Sequence, residues 1–299
     1  MRRQFNWTAK QTAKLNKVKE ILEELKDYLP LTLRQIYYQL VAKGFIENKV
    51  SEYTMLSNLL KWGRIDNYIS WDNIEDRTRA YHNLTGWEDK DEFTGQELKY
   101  FLTRYRRDLL QTQKKYIEVW IEKDALSSIF RKGCNPYTVS VVVCRGFSSV
   151  SFLNDFRERL KNYPDKEAVM LYFGDFDPSG MEMLTAMRTT LGEEMKVYRT
   201  EFKRIALLKE DISKYNLPHS PDALKKTDTR ARKHVETYGE LAVELDALRP
   251  DVLQDKIKTA IESELDVKAF NAQIKIERKE IDMLNKLKIN IENIIEKLP

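Results

Sequence analysis

Glu122 closes an apolar run over 116–121, and further along Gly-Asp-Phe-Asp-Pro-Ser-Gly at 174–180 follows a second such run over 168–173. An acid after one strand and an Asp-x-Asp after another converge if the strands are parallel neighbours, because ligand and metal sites of open α/β sheets gather outside the carboxyl ends of the strands. Carboxylates grouped there repel one another and are costly to desolvate without a cation, and Mg²⁺ takes such oxygens together with substrate phosphates. Glu122, Asp175 and Asp177 are therefore candidate Mg²⁺ ligands in a site for a phosphodiester backbone. Glu118 lies on the same side of its strand as Glu122, by alternation of period two, and is a second candidate. A plainer role competes at Asp177: Asp-Pro-Ser-Gly is also a good helix start, with Asp as N-cap and Pro in the first turn.

The surrounding pattern says which elements would position these acids. Apolar, β-branched or aromatic runs at 116–121, 138–144, 168–173 and 202–207 alternate with helical segments near 125–131, 149–162 and 180–191. Strand and helix in alternation predict a parallel sheet with crossovers, a Rossmann-like domain. Upstream, Leu15, Val18, Ile21, Leu22 and Leu25 fall on one face of a helix over 8–29 that Pro30 ends. Thr32 can cap a second helix over 33–42, a third covers 52–64, and 68–74 reads as a short strand and wing. Helix, helix, helix and β wing is the order of a winged helix, a helix-turn-helix variant that sets one helix in the DNA major groove. A helix is expected over 97–113, and others over 238–248, 251–265 and on to the C-terminus. That last stretch carries Ile274, Ile281 and Ile295 with Leu284, Ile291 and Leu298 at heptad-like positions, suited to oligomerisation or to packing on its own domain.

Composition narrows the class. The chain has 299 residues, enough for two cores, and no apolar run as long as the roughly 18 residues of a membrane span. Its polar start does not read as a signal segment, so a cytoplasmic protein, nucleoid-associated if bacterial or archaeal, with no membrane partner is the expectation. Cys134 and Cys144 are the only cysteines, which leaves no disulfide framework or thiolate zinc site, and His82, His219 and His234 lack metal-ligand spacing. Net charge is only +4, but basic residues cluster at 104–107 with 114–115 and at 225–233. Lys225, Lys226, Arg230, Arg232 and Lys233 are candidate phosphate contacts, and equally a solvated helix face.

Glu122-Lys123, the Gly146 turn after 141–145, and Asp175-Phe176-Asp177-Pro178-Ser179-Gly180 resemble the successive motifs of a Toprim domain. Arg34-Gln35-Ile36-Tyr37-Tyr38 resembles the catalytic-tyrosine motif of the topoisomerase VI A subunit and its relative that makes meiotic double-strand breaks. The stretches 205–218 and 244–248 are similar to the part that closes the Toprim domain there, so the resemblance runs in order over about 31–253. It implies an α/β plus α protein: an N-terminal helix over 1–30, a winged-helix domain over 31–96, a connecting helix over 97–115, a Toprim domain over 116–235 and C-terminal helices over 236–299. It also implies Tyr38 as nucleophile with Arg34 one helical turn before it, Mg²⁺, as two ions, on Glu122 in preference to Glu118 and on Asp175 and Asp177, and Lys123 at the phosphate.

Tyr38 attacking double-stranded DNA would leave a phosphotyrosyl end, and a homodimer would break both strands. The chain is shorter than a usual A subunit and carries no Walker loop, so ATP-driven strand passage would need an ATPase partner. Two other functions fit the same residues: a hydrolytic Toprim nuclease, as in the Wadjet plasmid-defence nuclease subunit, and a non-catalytic DNA-binding protein.

Overall fold

The computed structural model describes residues 5–75, 86–146, 148–220, 224 and 229–295, with only the backbone described at 229 and 230. It divides into two compact units, Met1–Thr78 with Lys115–Glu264, and Arg79–Lys114 with Leu265–Pro299. The boundaries drawn from the sequence place the N-terminal helices and the sheet in separate domains. In the structure they share one unit, because α2 (Leu33–Ala42) rests on the turn Leu245–Ala247.

In the first unit α1 (Ala9–Glu24) is followed by β1 (Leu31–Thr32), α2 and α3 (Val50–Ile65). Thr32 caps α2 by accepting from the Gln35 amide, and the Gln35 side chain accepts from the Thr32 amide in return. The strand and wing expected over 68–74 is smaller than foreseen. Residues 71–73 form a single 3₁₀ turn, started by the Ser70 hydroxyl, and leave only β2 (Ile74–Glu75), parallel to β1 through Leu31↔Ile74.

The expected alternation is present. β3 (Lys115–Ile121), β4 (Ser140–Val143), β5 (Glu167–Phe173) and β6 (Thr200–Ala206) form one parallel sheet in the order β4-β3-β5-β6. The crossovers are α5 (Ser127–Cys134), α6 (Val150–Leu160) and α7 (Pro178–Thr189), so the architecture is mixed α/β with added helices. Alternation along β3 and β5 sends Trp120, Met170 and Tyr172 into a core with Leu153 and Phe156 of α6 and Met183 and Met187 of α7. On the opposite face Phe130 of α5 meets Phe173 edge-on at 4.9 Å, and α10 (Pro250–Glu262) packs on α5. Each such fully buried large side chain contributes about 1.5–3 kcal/mol.

The helix expected over 238–248 is not there. α8 (Lys209–Lys214) and α9 (Thr229–Tyr238) precede it, and Gly239 at φ +71° ends α9. The chain then runs extended, with Val243 exchanging backbone hydrogen bonds with Phe176. In the second unit the helix expected over 97–113 lies earlier, as α4 (Lys90–Tyr100), because the Asp89 carboxylate caps it by accepting from the amides of Asp91 and Glu92, and Leu102 at φ +59° follows its end. The long α11 (Val267–Ile295) packs within its own unit: Arg107 bonds Gln273 and Glu280, and Tyr105 donates to Glu280. Ile274, Ile281, Leu284, Ile291 and Ile295 are half-buried, while Leu298 lies outside the described residues. Among the described residues no helix is long and apolar enough to cross a membrane.

Candidate active site at the carboxyl edge of the sheet

The chain leaves β3 toward β4 on one side and later returns to place β5 on the other, so the connections reverse between β3 and β5. That reversal opens a crevice at the carboxyl ends of the two strands, where ligands of such sheets bind. Ile121 and Phe173 are in register, so Glu122 and Asp175 emerge side by side. Glu122 Oε2 accepts from the Asp175 amide at 2.9 Å. Asp175 Oδ1 accepts from the Leu245 amide at 2.8 Å, and its carboxylate pairs with Lys123 Nζ at 2.7 Å.

Asp177 caps α7, accepting from the Gly180 amide at 2.6 Å, so the helix-start role is realised and one carboxylate oxygen remains. A Cβ at Gly180 would stand 2.4 Å from the Asp175 carbonyl and 3.0 Å from Glu122 Oε2, so the loop closes only with glycine there. The loop is also held from β6. Arg204 donates to the carbonyls of Leu207 at 3.0 Å, Gly180 at 2.9 Å and Gly174 at 3.1 Å, and to that of Asp175.

The site is rich in charge and largely buried. Burial pushes the carboxyl groups of both Glu122 and Asp175 up, and Asp175 reaches about 7 although Lys123 pulls it down. Lys123 pairs with Glu244 at 3.0 Å and Asp246 at 3.1 Å as well as with Asp175. Burial lowers its pKa, but Asp246, Asp175 and Glu244 together hold the ammonium well above its ordinary range. Glu244 is half-buried, which pushes its carboxyl up, yet Lys123 and Arg34 keep it below the usual value. Asp246 is fully buried, and its Oδ1 has no hydrogen-bond partner among the described residues.

Most residues singled out in the sequence have a place in the structure. Glu118 is not a free ligand: it is fully buried and takes hydrogen bonds from Tyr116, Trp120 and both arms of Arg159. Lys123 points into the acids and not toward solvent, so its charge is committed inside the site. Arg34 is ion-paired with Glu244. Tyr38, 4% exposed, shares a 3.2 Å hydrogen bond with the Ser220 hydroxyl, and burial followed by Glu244 pushes its pKa above the usual phenol value.

In the basic cluster, Lys225 and Lys226 and the side chain of Arg230 lie outside the described residues. Arg232 pairs with Glu236 at 3.0 Å and Lys233 with Glu182 at 3.0 Å, both exposed pairs that phosphate can displace. His219 and His234 are engaged with the backbone of Leu241 and Ala242, and His82 lies outside the described residues. Burial raises the thiols of both Cys134 and Cys144 to about 12, as suits inert core residues.

Glu244, Asp246 and Arg204 were not foreseen as site residues. The signals were faint: an Asp two residues after a Glu in a stretch taken for helix, and one arginine inside a strand.

The carboxylate donors suit Mg²⁺ in kind, being hard oxygens beside a buried acceptor that lacks a partner. Among the described residues no three His, Cys, Asp or Glu side chains converge on one point. Mg²⁺ commonly takes only one or two carboxylates and completes its shell with water and substrate oxygens. Glu122 and Asp177 would hold it here, with Asp175 beside them. Asp177→Ser separates cap from ligand. It should melt within about 1 kcal/mol of the parent, since serine also caps, yet lose Mg²⁺ affinity measured by calorimetry. Unchanged Mg²⁺ affinity would leave Asp177 a cap alone.

The fold and site define a parallel-sheet α/β protein with an acidic crevice at its topological switch point. No protein-family model matches the chain, and no curated protein matches it.

Proposed function

We propose that this chain is a Mg²⁺-dependent enzyme that cleaves the DNA backbone, built from a winged-helix segment and a Toprim-like sheet. One observation carries it: Glu122 and Asp175, from two parallel strands, meet at the switch point beside a cavity of about 590 Å³ that Arg34, Arg64 and Arg145 help to line. Acids and arginines so interleaved suit a phosphodiester, with the cations taking its charge. Mg²⁺, when bound, supplies Lewis-acid polarisation of a phosphoryl oxygen. Arg34, anchored by Glu244, keeps a cation at the cavity wall, and Arg204 fixes the loop that carries Asp175 and Asp177.

Hydrolysis with water as nucleophile is the reading that the position of Tyr38 favours. Its hydroxyl is buried, bonded to Ser220 and outside the described cavity lining. Transesterification by Tyr38 is the second reading: burial and the Glu244 charge hold its hydroxyl protonated, and Arg34 and Lys123 offset them in part. It would require α2 to move so that the hydroxyl reaches phosphorus and the departing deoxyribose oxygen takes a proton.

Supercoiled plasmid incubated with Mg²⁺ and then denatured with and without protease tests both. Tyr38→Phe is expected to cut at the parent's rate and to leave no protein-blocked ends. Blocked ends that vanish in Tyr38→Phe would establish the covalent route instead, and a homodimer acting on both strands would then give protein-linked double-strand breaks. If parent and variants bind DNA but none cuts with Mg²⁺ or Mn²⁺, the enzyme reading falls and a DNA-binding protein remains.

A further inference from the structure

The cavity beside the acids has a second wall, along α3, of which the proposed cleavage chemistry uses Arg64 alone. Tyr53, Ser57 and Arg64 recur at steps of four and seven residues along α3, so they form one stripe, and all three line the cavity. The helix that a helix-turn-helix would lay in a major groove therefore turns this polar stripe toward Glu122 and Lys123. Of the cavity's cations, Arg34 is tied to half-buried Glu244 and Lys123 to buried acids, while among the described residues Arg145 is held only by Asp124, at 2.7 Å, with most of its side chain exposed. Arg64 has no ion-pair partner among the described residues, and its buried Nε makes no hydrogen bond; the guanidinium lies 5.0 Å over the Trp71 ring. Tyr53 adds an aromatic surface, with Arg34 5.9 Å over its ring.

We infer that this cleft binds one unpaired strand of DNA, with Arg64 and Arg145 taking successive phosphates and Tyr53 stacking on a base. This rests on the cleavage reading for its location and deepens it by naming the form of the substrate. The volume, about 590 Å³, sits within the roughly 300–1,000 Å³ of small-molecule sites, which is room for a nucleotide or two and not for a turn of duplex. A base inside a duplex has both faces covered by its neighbours, so stacking on Tyr53 selects a strand that is single or locally opened. Phosphate-directed arginines beside aromatic surfaces are the usual means of holding such strands.

The test measures binding without cleavage, in chelator, by fluorescence anisotropy of a labelled oligonucleotide as a single strand and as its duplex. The single strand should bind at least about tenfold tighter, the size of one stacking contact. Arg64→Gln and, separately, the surface change Arg145→Gln should each weaken single-strand binding and lower its salt slope by about one. Tyr53→Leu should lose about tenfold while Tyr53→Phe keeps the parent's affinity. Equal or tighter duplex binding, or unchanged affinity in Arg145→Gln and Tyr53→Leu, would overturn the inference. A protein that cuts duplex with no such preference keeps the cleavage reading and loses this one. One that binds single strands as described but never cuts does the reverse.

Discussion

Glu122→Gln should cut DNA roughly 10²- to 10³-fold more slowly than the parent in Mg²⁺, the scale of losing one group that stabilises transition-state charge. Glutamine is the informative replacement because it is isosteric. Its side-chain carbonyl can still accept from the Asp175 amide, the 2.9 Å contact that joins the two strand ends, so the crevice keeps its shape. Only the negative charge is lost. Burial already pushes the Glu122 carboxyl up, so removing its charge should not destabilise the fold, and Glu122→Gln should melt at or slightly above the parent. Plasmid cleavage and thermal unfolding on the same preparations check both halves. A variant that cuts like the parent would remove Glu122 from the chemistry and, with it, the main support for the proposed site.

Lys123→Met should cost about 3–5 kcal/mol of stability in metal-free buffer, read from urea unfolding, because it strips the shared counter-charge from Asp175, Glu244 and Asp246 while all three stay largely buried. The pH dependence follows from the shifts. Asp175 titrates near 7 when folded against an ordinary 3.8, so between those values the folded chain holds a proton that the unfolded chain has released, and stability falls as pH rises through that window. Lys123 shifts the other way. Its ammonium is held above the ordinary 10.5, so its own contribution is whole below that value and is lost only as pH climbs through the raised one. Without Lys123 the Asp175 carboxyl rises further, and the penalty should be largest at neutral pH and above, shrinking toward pH 4. Mg²⁺ should restore more stability to Lys123→Met than to the parent, since the ion replaces the missing positive charge. A penalty under about 1 kcal/mol, independent of pH, would show that the network is no stronger than a solvent-screened pair.

The parallel sheet was legible because four β-branched and aromatic runs alternate with helical ones, a signal repeated often enough to override local ambiguity. Glu122 and Asp175 were legible for the same reason: each sits one or two residues past such a run. The commitments of individual side chains were not. Lys123 and Glu118 have neighbours that read alike in one dimension, yet one is drawn into three acids and the other is spent on Arg159, outcomes set by partners 41 to 123 residues away. The stretch 238–248 has a helical composition, but a glycine at positive φ and the pairing of Val243 with Phe176 decide it, and neither shows in periodicity. Tyr38 stands out by resemblance alone, and its hydrogen bond to Ser220 depends on a chain segment far downstream.

Among the described residues the hydrogen bonds of Arg204 all go to carbonyls, four of them, in or beside the acidic loop. The shape of that loop is therefore written partly outside it, in one guanidinium on the next strand. Transplanting Gly-Asp-Phe-Asp-Pro-Ser-Gly into another parallel sheet would carry the two aspartates without the clamp that spaces them. The smallest portable version of this loop is the segment together with β5 and β6, a two-strand cassette, and a lysine at 204 would not substitute, since a point charge lacks the planar fork of donors.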